Sequence, residues 1–544
     1  MAPRQLIPGV VFQPRSHQGL QRGINHMVDV VRPTLGPLPR LVGVENTFRD
    51  KTPEFLDSAG VITRRIIQLP DRDADMGAML VRHVLWRLHD EVRDGTATAA
   101  VILQEVFNEG LRYVSFGGNA LQLRRYLERG LRAALEELDR QTARIDGKER
   151  LSQLAASLCA DPPLAHLLAE IFDIVGEYGQ VDIRKDHRRD LGRQYIEGMY
   201  WRSSMVSPYM FRDQTAQRTD LENAAILISD LELEDPRQLM PVLDMALDAE
   251  IRALLIVANK LSDSSIALLL AASREPEKFQ VIAAQTPGQG KFEQADAMED
   301  LAILTGGRPL LQVAGDTLRG LTVEDFGHAR RAWVDRLHLG VIGGKGNPRR
   351  LREHVMRLRA QFQAAEDRKP RTALQQRIGK LIGGSAILSI GGNSEVEITA
   401  REELARRTAE GLRAALRGGV LPGGGSALLA CIPRLRCMLE VSDNPDELAA
   451  YRILIAALSE PLRAITANAG YDPGAIMFAI DQAGAGFGYD VRCGQVVNMA
   501  QAGILDIAPV QKAALESAVL GAATALTVDI LVHKKKPKAT PGRP

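Results

Sequence analysis

Hydrophobic and polar positions divide this chain into helical ends and a middle part of mixed pattern. Near the start, apolar residues recur at helical spacing, which predicts amphipathic helices over 23–32, 76–92, 96–113 and 119–138. The same spacing predicts later helices over 151–160, 164–175, 402–417 and much of 426–533, outside the stretch 487–499. A short β-branched run over 61–69 predicts a strand.

The middle of the chain has a different pattern. Three short apolar runs, 225–229, 254–258 and 280–284, predict buried strands, and helical segments begin between them at Pro236 and Ser264. Strands that alternate with helices predict an α/β domain, with limits near 198 and 385. Further strand patterns at 180–184 and 386–390 flank it. We therefore expect an α/β domain inserted between helical ends.

Composition and charge exclude some classes of protein. At 544 residues the chain is too long for one hydrophobic core, so roughly two to four domains are expected. With 68 basic and 67 acidic residues the net charge is +1, which favours neither nucleic acid nor a membrane as partner. The lysine-rich tail 534–544 is expected to be disordered. It is interpreted as a solubilising terminus, with contact to nucleic acid or lipid headgroups as the alternative.

Cysteines, histidines and the first residues bear on redox state and location. The four cysteines are scattered and the ten histidines show no ligand spacing, so structural zinc and a disulfide framework are not expected. No apolar run is long enough for a membrane span, and the opening residues lack the apolar core of a signal peptide. The sequence predicts a cytoplasmic protein.

The segment 93–100, R-D-G-T-A-T-A-A, lies between two long predicted helices. A glycine before a helix lets a phosphate approach the backbone, and the helix N-terminus offers unpaired N–H groups and a positive dipole end. Asp94 has the side chain to hold the magnesium ion that accompanies a nucleotide. The alternative is an ordinary helix cap, because Asp and Thr are common capping residues.

Common nucleotide and hydrolase motifs are absent from the sequence, which has no Walker A motif, no G-x-G-x-x-G after a strand, no H-E-x-x-H and no G-x-S-x-G. Four glycine-containing turns remain: T-L-G-P at 34–37, D-G-T at 94–96, G-G-G at 423–425 and G-I-L-D at 503–506. Each alone predicts only a turn or a cap. Taken together, however, their order and separation along the chain indicate a family of proteins.

With these turns the chain resembles the type I ring chaperonins, the GroEL type, over essentially its whole length. The other shared landmarks are E-G-M at 197–199, V-S-P-Y-M at 206–210, L-M-P-V-L at 239–243 and L-T-G-G at 304–307. The resemblance implies a multidomain chaperonin fold, helical (α) with an α/β insert. Its parts would be an equatorial domain (1–140 and 418–533), an intermediate hinge domain (141–197 and 386–417) and an inserted α/β apical domain (198–385).

The resemblance also implies the activity. The family assembles as two back-to-back rings of seven subunits and captures non-native proteins on apical apolar surface. It encloses them under a co-chaperonin lid when ATP binds. ATP and Mg²⁺ are the implied cofactors, with K⁺ as a further candidate ion. The implied nucleotide-binding residues are Thr34, Leu35, Gly36, Pro37, Asp94 as the Mg²⁺ ligand, Gly95, Thr96, Ala97, Thr98, Gly423, Gly424, Asp490, Val491 and Asp506.

Some of these positions depart from the family pattern. Ala97 replaces a threonine, which removes one hydroxyl contact worth about 1 kcal/mol. The family's N-A-A segment beside the base has become 490–492, D-V-R. These changes bear on affinity and on the choice of base.

The carboxylates that the family uses for hydrolysis are also changed. The family's water-orienting aspartate aligns with Arg407, and its second aspartate aligns with Ala59, although a gap would bring Asp57 into that place. We interpret the chain as a nucleotide-binding chaperonin with weakened hydrolysis. The alternative for Arg407 is a solvent-facing side chain on an arginine-rich helix.

The client surface and the contact between rings are implied in the same way. The family's client-binding positions map to Met205, Ser207, Tyr209, Met210, Met240, Leu243, Ile266, Leu270 and Ala271. Flexible, polarizable methionines suit a surface with many partners; the alternative is that these side chains are core. The family's inter-ring charge pair maps to Arg463 and Asp472, whose signs permit a double ring.

Three other functions stay open from the sequence. A conventional ATP-hydrolysing folding chaperonin would differ from our interpretation in its turnover. A dedicated scaffold or binding protein on the chaperonin fold would differ in the range of its clients. An enzyme acting on a small molecule would need a nucleophile and a base, and no such set is visible.

Overall fold

The computed structural model describes residues 9–38, 40–45, 53–145, 147–159, 161–177, 180–186, 189–196, 199–212, 217–288, 290–365, 367–382 and 385–533. Its helices, in chain order, are α1 Arg15–Val31, α2 Ala59–Arg65, α3 Arg72–Val92, α4 Thr96–Ser115, α5 Ala120–Gln141, α6 Lys148–Leu158, α7 Pro162–Val175, α8 Met240–Asp248, α9 Asp263–Ala272, α10 Lys291–Thr305, α11 Pro348–Ala364, α12 Arg368–Ile382, α13 Glu395–Gly418, α14 Ser426–Leu429, α15 Ile432–Val441, α16 Pro445–Asn468, α17 Pro473–Ala483 and α18 Ala508–Leu526.

The strands are short in comparison. In chain order they are β1 Gly9–Val11, β2 Val42–Val44, β3 Glu54–Leu56, β4 Gln180–Lys185, β5 Gly192–Ile196, β6 Met199–Arg202, β7 Arg218–Ser229, β8 Glu232–Leu233, β9 Ala253–Ala258, β10 Lys260–Leu261, β11 Gln280–Gln285, β12 Pro309–Leu310, β13 Gly327–Asp335, β14 His338–Gly344, β15 Ser385–Ile390, β16 Val420–Pro422, β17 Phe487–Asp490, β18 Gln495–Asn498, β19 Leu505–Ile507 and β20 Leu531–His533.

The chain forms two compact units. The first combines both ends of the chain, Met1–Glu170 and Glu403–Pro544, and the second is the insert Ile171–Glu402. The predicted intermediate segments, 141–197 and 386–417, are thus shared between the two units, and a separate intermediate domain stays a prediction. The predicted basic tail, 534–544, lies outside the described residues.

The first unit is built on a helical core. Its longest helices, α1, α3, α4, α5, α16 and α18, enclose one cluster of buried apolar side chains that includes Ile24, Leu85, Phe107 and Leu127. The first and last strands of the described residues meet at this core, since β1 pairs antiparallel with β20. His533 on β20 contacts Asp73 on α3, Nε2 to Oδ1 at 2.7 Å, and Arg15 donates to the other oxygen of that carboxylate.

Helices α1 and α3 approach so closely that glycine is required on both. A Cβ at Gly23 of α1 would lie 1.8 Å from the carbonyl oxygen of Ala74, and a Cβ at Gly77 of α3 would lie 2.2 Å from that of Leu20. Both are contacts with backbone atoms, which cannot turn away. These two glycines therefore set the distance between the helices.

Gly23→Ala is expected to destabilise the first unit by about 1–3 kcal/mol. Alanine gains roughly 1 kcal/mol over glycine in helix propensity, but the clash with Ala74 forces the helices apart, and this overpacking outweighs the gain. Urea unfolding followed by circular dichroism measures the effect. Gly474→Ala is the control, because its Cβ would meet only Asp472 Oδ1 at 3.4 Å. Equal midpoints for the two variants would contradict the argument.

The second unit contains the predicted α/β domain. Its seven-stranded sheet has the order β11-β9-β7-β13-β14-β6, with β12 paired to β7. The three strands predicted from apolar runs, β7, β9 and β11, are parallel, and helices lie between them in the chain. Every residue of β9 is buried, as expected for a parallel strand covered on both faces. A three-stranded sheet, β4-β15-β5, accounts for the two flanking strand patterns.

One element of the first unit differs from its prediction. The run 61–69 was predicted as a strand, but residues 59–65 form helix α2, so that prediction is wrong. The helix buries Ile62 and Thr63 and packs on α3, where Arg64 stacks on the ring of Trp86 at 3.9 Å. Packing against α3 has overridden the strand preference of the β-branched residues.

Within the described residues, no helix is both long and apolar enough to cross a membrane.

Candidate nucleotide site

Residues 93–96 connect α3 to the N-terminus of α4, and we call this turn the phosphate loop after its predicted role. Arg93 and Gly95 both adopt left-handed backbone conformations, with φ of 63° and 74°, and α4 begins directly after them at Thr96. The N–H of Gly95 donates to Oδ1 of Asp94 at 2.7 Å, and the exposed Asp94 carboxylate lies beside the start of α4. A Cβ at Gly95 would lie 2.8 Å from Val510, so the close approach also requires glycine.

The turn 34–37 is held against α16. Asn468 donates through Nδ2 to the carbonyl oxygens of Arg32 and Leu35, at 2.8 and 2.9 Å. Gly36 has a φ of 111°, and a Cβ there would meet Ile465 at 3.4 Å. The buried Thr34 hydroxyl donates to the carbonyl of Val31 at 2.7 Å. The sequence motif did not identify Asn468, which stabilises this turn from more than 400 residues away.

The glycine loop after β16 lies beside Asp506. Strand β16 pairs antiparallel with β19, which places Leu421 opposite Asp506, and the N–H of Gly423 donates to the carbonyl of Ile504 at 2.9 Å. Gly424 has a φ of 64°, which favours glycine. The predicted residues Gly423 and Asp506, more than 80 positions apart, are therefore brought together by a two-stranded ladder.

Two carboxylates of this site influence one another. Burial, and then the charge of Asp94, raises the pKa of Asp506 to about 7, while a hydrogen bond from Gln511 opposes the shift. Gln511 donates through Nε2 to Oδ2 of Asp506 at 2.9 Å. Mg²⁺ is bound by carboxylate oxygens together with phosphates and water, so the exposed carboxylate of Asp94 fits the implied ion. Gln511, which donates a hydrogen bond to Asp506, was not among the predicted residues.

Arg407 and Asp57, which the alignment connected with hydrolysis, contact each other. The distance between Nη1 of Arg407 on α13 and Oδ2 of Asp57 is 3.4 Å, and both side chains are partly exposed. Ala59, at the other family aspartate position, is the buried first residue of α2. The pairing disagrees with the alternative in which Arg407 simply points to solvent. It also gives Asp57 a cationic partner.

The remaining predicted nucleotide residues have local structural roles. Thr96 and Thr98 are buried in the first turn of α4, and Ala97 is half-buried. Asp490 caps the turn of the β17–β18 hairpin, where its Oδ1 accepts from the N–H of Arg492 at 2.9 Å. Val491 is buried beside it. Contact of these residues with a nucleotide stays a prediction.

The predicted client-binding residues differ widely in exposure. Tyr209 is 82 % exposed and Met240 48 % exposed, Ala271 is exposed, and Ile266 and Leu270 are half-buried. Four others, Met205, Ser207, Met210 and Leu243, are buried. In this conformation those four cannot contact a client, which narrows the prediction to five residues. Leu247 on α8 is 53 % exposed and was not among those predicted.

Both residues of the predicted inter-ring pair are on the surface of the first unit. Arg463 is an exposed residue of α16. Asp472 is the N-cap of α17, and its Oδ1 accepts from the N–H of Gly474 at 2.9 Å. The carboxylate therefore has a structural role within the chain, and its role between rings stays a prediction.

Within the described residues of the second unit, one cluster has the side chains of a metal site, and sequence spacing did not reveal it. Possible ligand atoms of Glu299, Asp300 and His354 lie within 4.8 Å of one another. Arg357 donates to Nδ1 of His354 at 2.7 Å, and Arg377 donates to both oxygens of Asp300. Because arginine can only donate, His354 uses its Nε2–H toward Asp300. The arginines already neutralise this cluster, which we interpret as a structural network that joins α10, α11 and α12.

Comparison with known proteins identifies the family. Among solved structures, the chain is similar to the chaperonin gp146 from the bacteriophage EL 2 (Pseudomonas aeruginosa), crystallised in the presence of ATP-BeFx. In one crystal form the TM-score is 0.67 at 18 % identity, covering 97 % of this chain and 99 % of that chain. A second crystal form gives a TM-score of 0.59 at 19 % identity, with the same coverage. At this identity the likeness shows a shared fold.

The model of the TCP-1/cpn60 chaperonin family matches residues 27–536, which span most of the sequence. The resemblance inferred from the ordered glycine turns is thereby confirmed, and this chain belongs to the TCP-1/cpn60 chaperonin family.

Proposed function

We propose that this chain is a chaperonin subunit that binds ATP with Mg²⁺, captures non-native proteins on its second unit, and hydrolyses ATP slowly. Family membership makes it a chaperonin, a protein that assists folding, in a family that binds ATP and forms oligomeric rings around client proteins. The slow hydrolysis is particular to this chain. The observation that carries it is Arg407 itself, a guanidinium at the position of the family's water-orienting aspartate, which lies 3.4 Å from Asp57.

Nucleotide binding is supported by the residues of the first unit. Asp94 would hold the Mg²⁺, which shields the charge of the phosphates. The N–H groups at the start of α4 would bind the phosphate oxygens, and the left-handed Gly95 leaves room for their approach. Gly423 and Asp506 would lie near the sugar, where Gln511 orients the Asp506 carboxylate.

Slow hydrolysis follows from the chemistry of the side chains. An attacking water is oriented by a carboxylate that accepts its proton or hydrogen bond, whereas a guanidinium has only donors and keeps its charge. Asp57 does have a carboxylate, but it lies two residues before the family position, which Ala59 occupies, and its Oδ2 is 3.4 Å from Arg407. Ala59 offers only a methyl group. Neither family aspartate position therefore supplies a free carboxylate.

Client capture is supported by the exposed apolar residues of the second unit. Helices α8 and α9 pack Leu243 and Leu269 into the sheet core and leave Met240, Leu247 and Ala271 exposed. Exposed apolar side chains mark surfaces that bind other proteins. The five exposed or half-buried predicted residues, with Leu247, form the proposed client surface.

Assembly into a ring is supported by the first unit. Its small sheets, β1–β20 and β2–β3, carry exposed apolar side chains, among them Val10 at 50 %, Val532 at 54 % and Phe55 at 68 %. A neighbouring copy would cover these residues. The proposal includes seven subunits per ring, a second ring that is contacted through Arg463 and Asp472, and a co-chaperonin lid.

Phosphate release from saturating ATP by the assembled protein tests the proposed function. We expect turnover to be at least about 100-fold below that of a conventional family member assayed beside it, because positioned carboxylates contribute about 10²- to 10⁴-fold. Binding of ADP with Mg²⁺, measured by calorimetry on the same sample, shows that the site is intact. Turnover equal to that of the conventional chaperonin would overturn the slow-hydrolysis proposal and support an ordinary folding machine.

A further inference from the structure

The Arg407–Asp57 pair lies beside the phosphate loop rather than merely in the same unit. The N–H of Gly60, three residues after Asp57, donates to Oγ1 of Thr96 in the first turn of α4, at 3.2 Å. On the other side, Nε of Arg93 lies 3.8 Å from Oε2 of Glu410. Both partners of the pair are thus connected to the loop by neighbouring residues.

The direction of Arg407 follows from helix geometry. Residues three positions apart lie on one face of a helix, so Arg407 shares the face of α13 that carries Glu410. Glu410 contacts Arg93, the residue immediately before Asp94. Arg407 therefore projects from the face of α13 that contacts Arg93.

The pair is loose enough to be broken by a ligand. The distance between Nη1 of Arg407 and Oδ2 of Asp57 is 3.4 Å, and the two side chains are 35 % and 41 % exposed. An ion pair of this exposure contributes little to stability. A terminal phosphate carries more charge than a carboxylate and accepts the two parallel hydrogen bonds that a guanidinium can donate.

We propose that Arg407 is a ligand for the γ-phosphate and makes this site prefer a nucleoside triphosphate to a diphosphate, with Asp57 holding the guanidinium when no triphosphate is bound. The inference rests on the proposed function, because it requires that the loop around Asp94 binds a nucleotide. It goes further, since the absence of a water-positioning carboxylate predicts only slow hydrolysis. Arg407 adds recognition of the phosphate that hydrolysis would remove. Because hydrolysis is slow, exchange with nucleotide in solution would then decide whether the site holds a triphosphate or a diphosphate.

Calorimetric titration of the assembled protein with a non-hydrolysable ATP analogue and with ADP, both with Mg²⁺, tests the inference. In the parent we expect the analogue to bind at least tenfold more tightly than ADP. Arg407→Ala should lower the affinity for the analogue by about ten- to a hundredfold, the usual loss for a hydrogen bond to a charged group. It should leave the affinity for ADP within about twofold of the parent value. Asp57→Asn should raise the affinity for the analogue by about threefold, because the carboxylate that competes with the γ-phosphate for Arg407 is gone.

Two variants control for charge and folding. Arg406→Ala removes the same charge from an exposed neighbouring position on α13 and should leave both affinities unchanged. Arg407→Lys keeps the charge but loses the planar fork, so the preference should fall only partly. Unchanged ADP binding shows that each variant is folded.

The possible results distinguish the two proposals. Equal weakening of the analogue and ADP by Arg407→Ala, or no change in either, would overturn the role of Arg407 while nucleotide binding stands. A parent that binds neither nucleotide would overturn both proposals. The parent could also release phosphate rapidly and still show a preference for the analogue that depends on Arg407. That result would overturn the proposal of slow hydrolysis but support Arg407 as a ligand of the γ-phosphate.

Discussion

Arg407→Asp is expected to raise the rate of phosphate release by about 10²- to 10⁴-fold. The change replaces a side chain that can only donate with a carboxylate that can orient an attacking water. Arg407 is on the face of α13 that also contacts Arg93, so the new carboxylate would face the phosphate loop. It would also face Asp57, and because like charges repel, the variant is best made with Asp57→Asn as well as alone.

Steady-state phosphate release at saturating ATP measures this effect. Arg406→Asp is the matched control, because it makes the same change of charge on the same helix, and we expect no increase from it. If Arg407→Asp binds nucleotide and yet releases phosphate no faster than the parent, the missing carboxylate at Ala59 is the cause of slow hydrolysis. Ala59→Asp combined with Arg407→Asp should then restore turnover. Silence of that double variant too would contradict our explanation of slow hydrolysis.

Asp94→Asn is expected to abolish the part of nucleotide affinity that depends on Mg²⁺, a loss of about 100-fold. A pair of opposite unit charges about 4 Å apart is worth about 4 kcal/mol at an effective dielectric constant near 20, and desolvation offsets part of it. Asparagine keeps an oxygen that can accept from the N–H of Gly95, so the turn should survive. Its amide oxygen is a weaker ligand for Mg²⁺ than a carboxylate.

Titration with ADP in the presence of Mg²⁺ and again with a chelator separates the two contributions. The parent should bind ADP much more tightly with Mg²⁺, whereas Asp94→Asn should bind with similar affinity in both conditions. Glu91→Gln removes one exposed negative charge from the end of α3 and should retain the Mg²⁺ dependence. Full Mg²⁺ dependence in Asp94→Asn would show that another residue holds the ion.

Local patterns predicted most of the elements, although not their limits. The helical spacing over 119–138 became α5, and the apolar run 254–258 became β9. Periodicity reports which side of an element is buried, and that information is contained in neighbouring residues. The run 61–69 was assigned wrongly because its conformation depends on α3, where Trp86 and His89 pack against α2.

The candidate site was predictable where its backbone requires particular residues. Gly95 must adopt a positive φ and avoid Val510, and this requirement leaves a mark in the sequence. Asn468, Gln511 and Glu410 left no such mark. Each acts through a side-chain contact with a residue distant in the chain, and a polar residue on a helix gives no local sign of its partner.

By itself, the sequence determined the family, the succession of helices and strands, and the positions of the glycine turns, because these depend on local periodicity and on conformations that few residues adopt. The tertiary structure alone decided that Arg407 meets Asp57, that burial and the charge of Asp94 raise the pKa of Asp506, and that four predicted client residues are buried. Charge pairing and burial depend on distances between segments that are hundreds of residues apart. They exist only once the chain has folded.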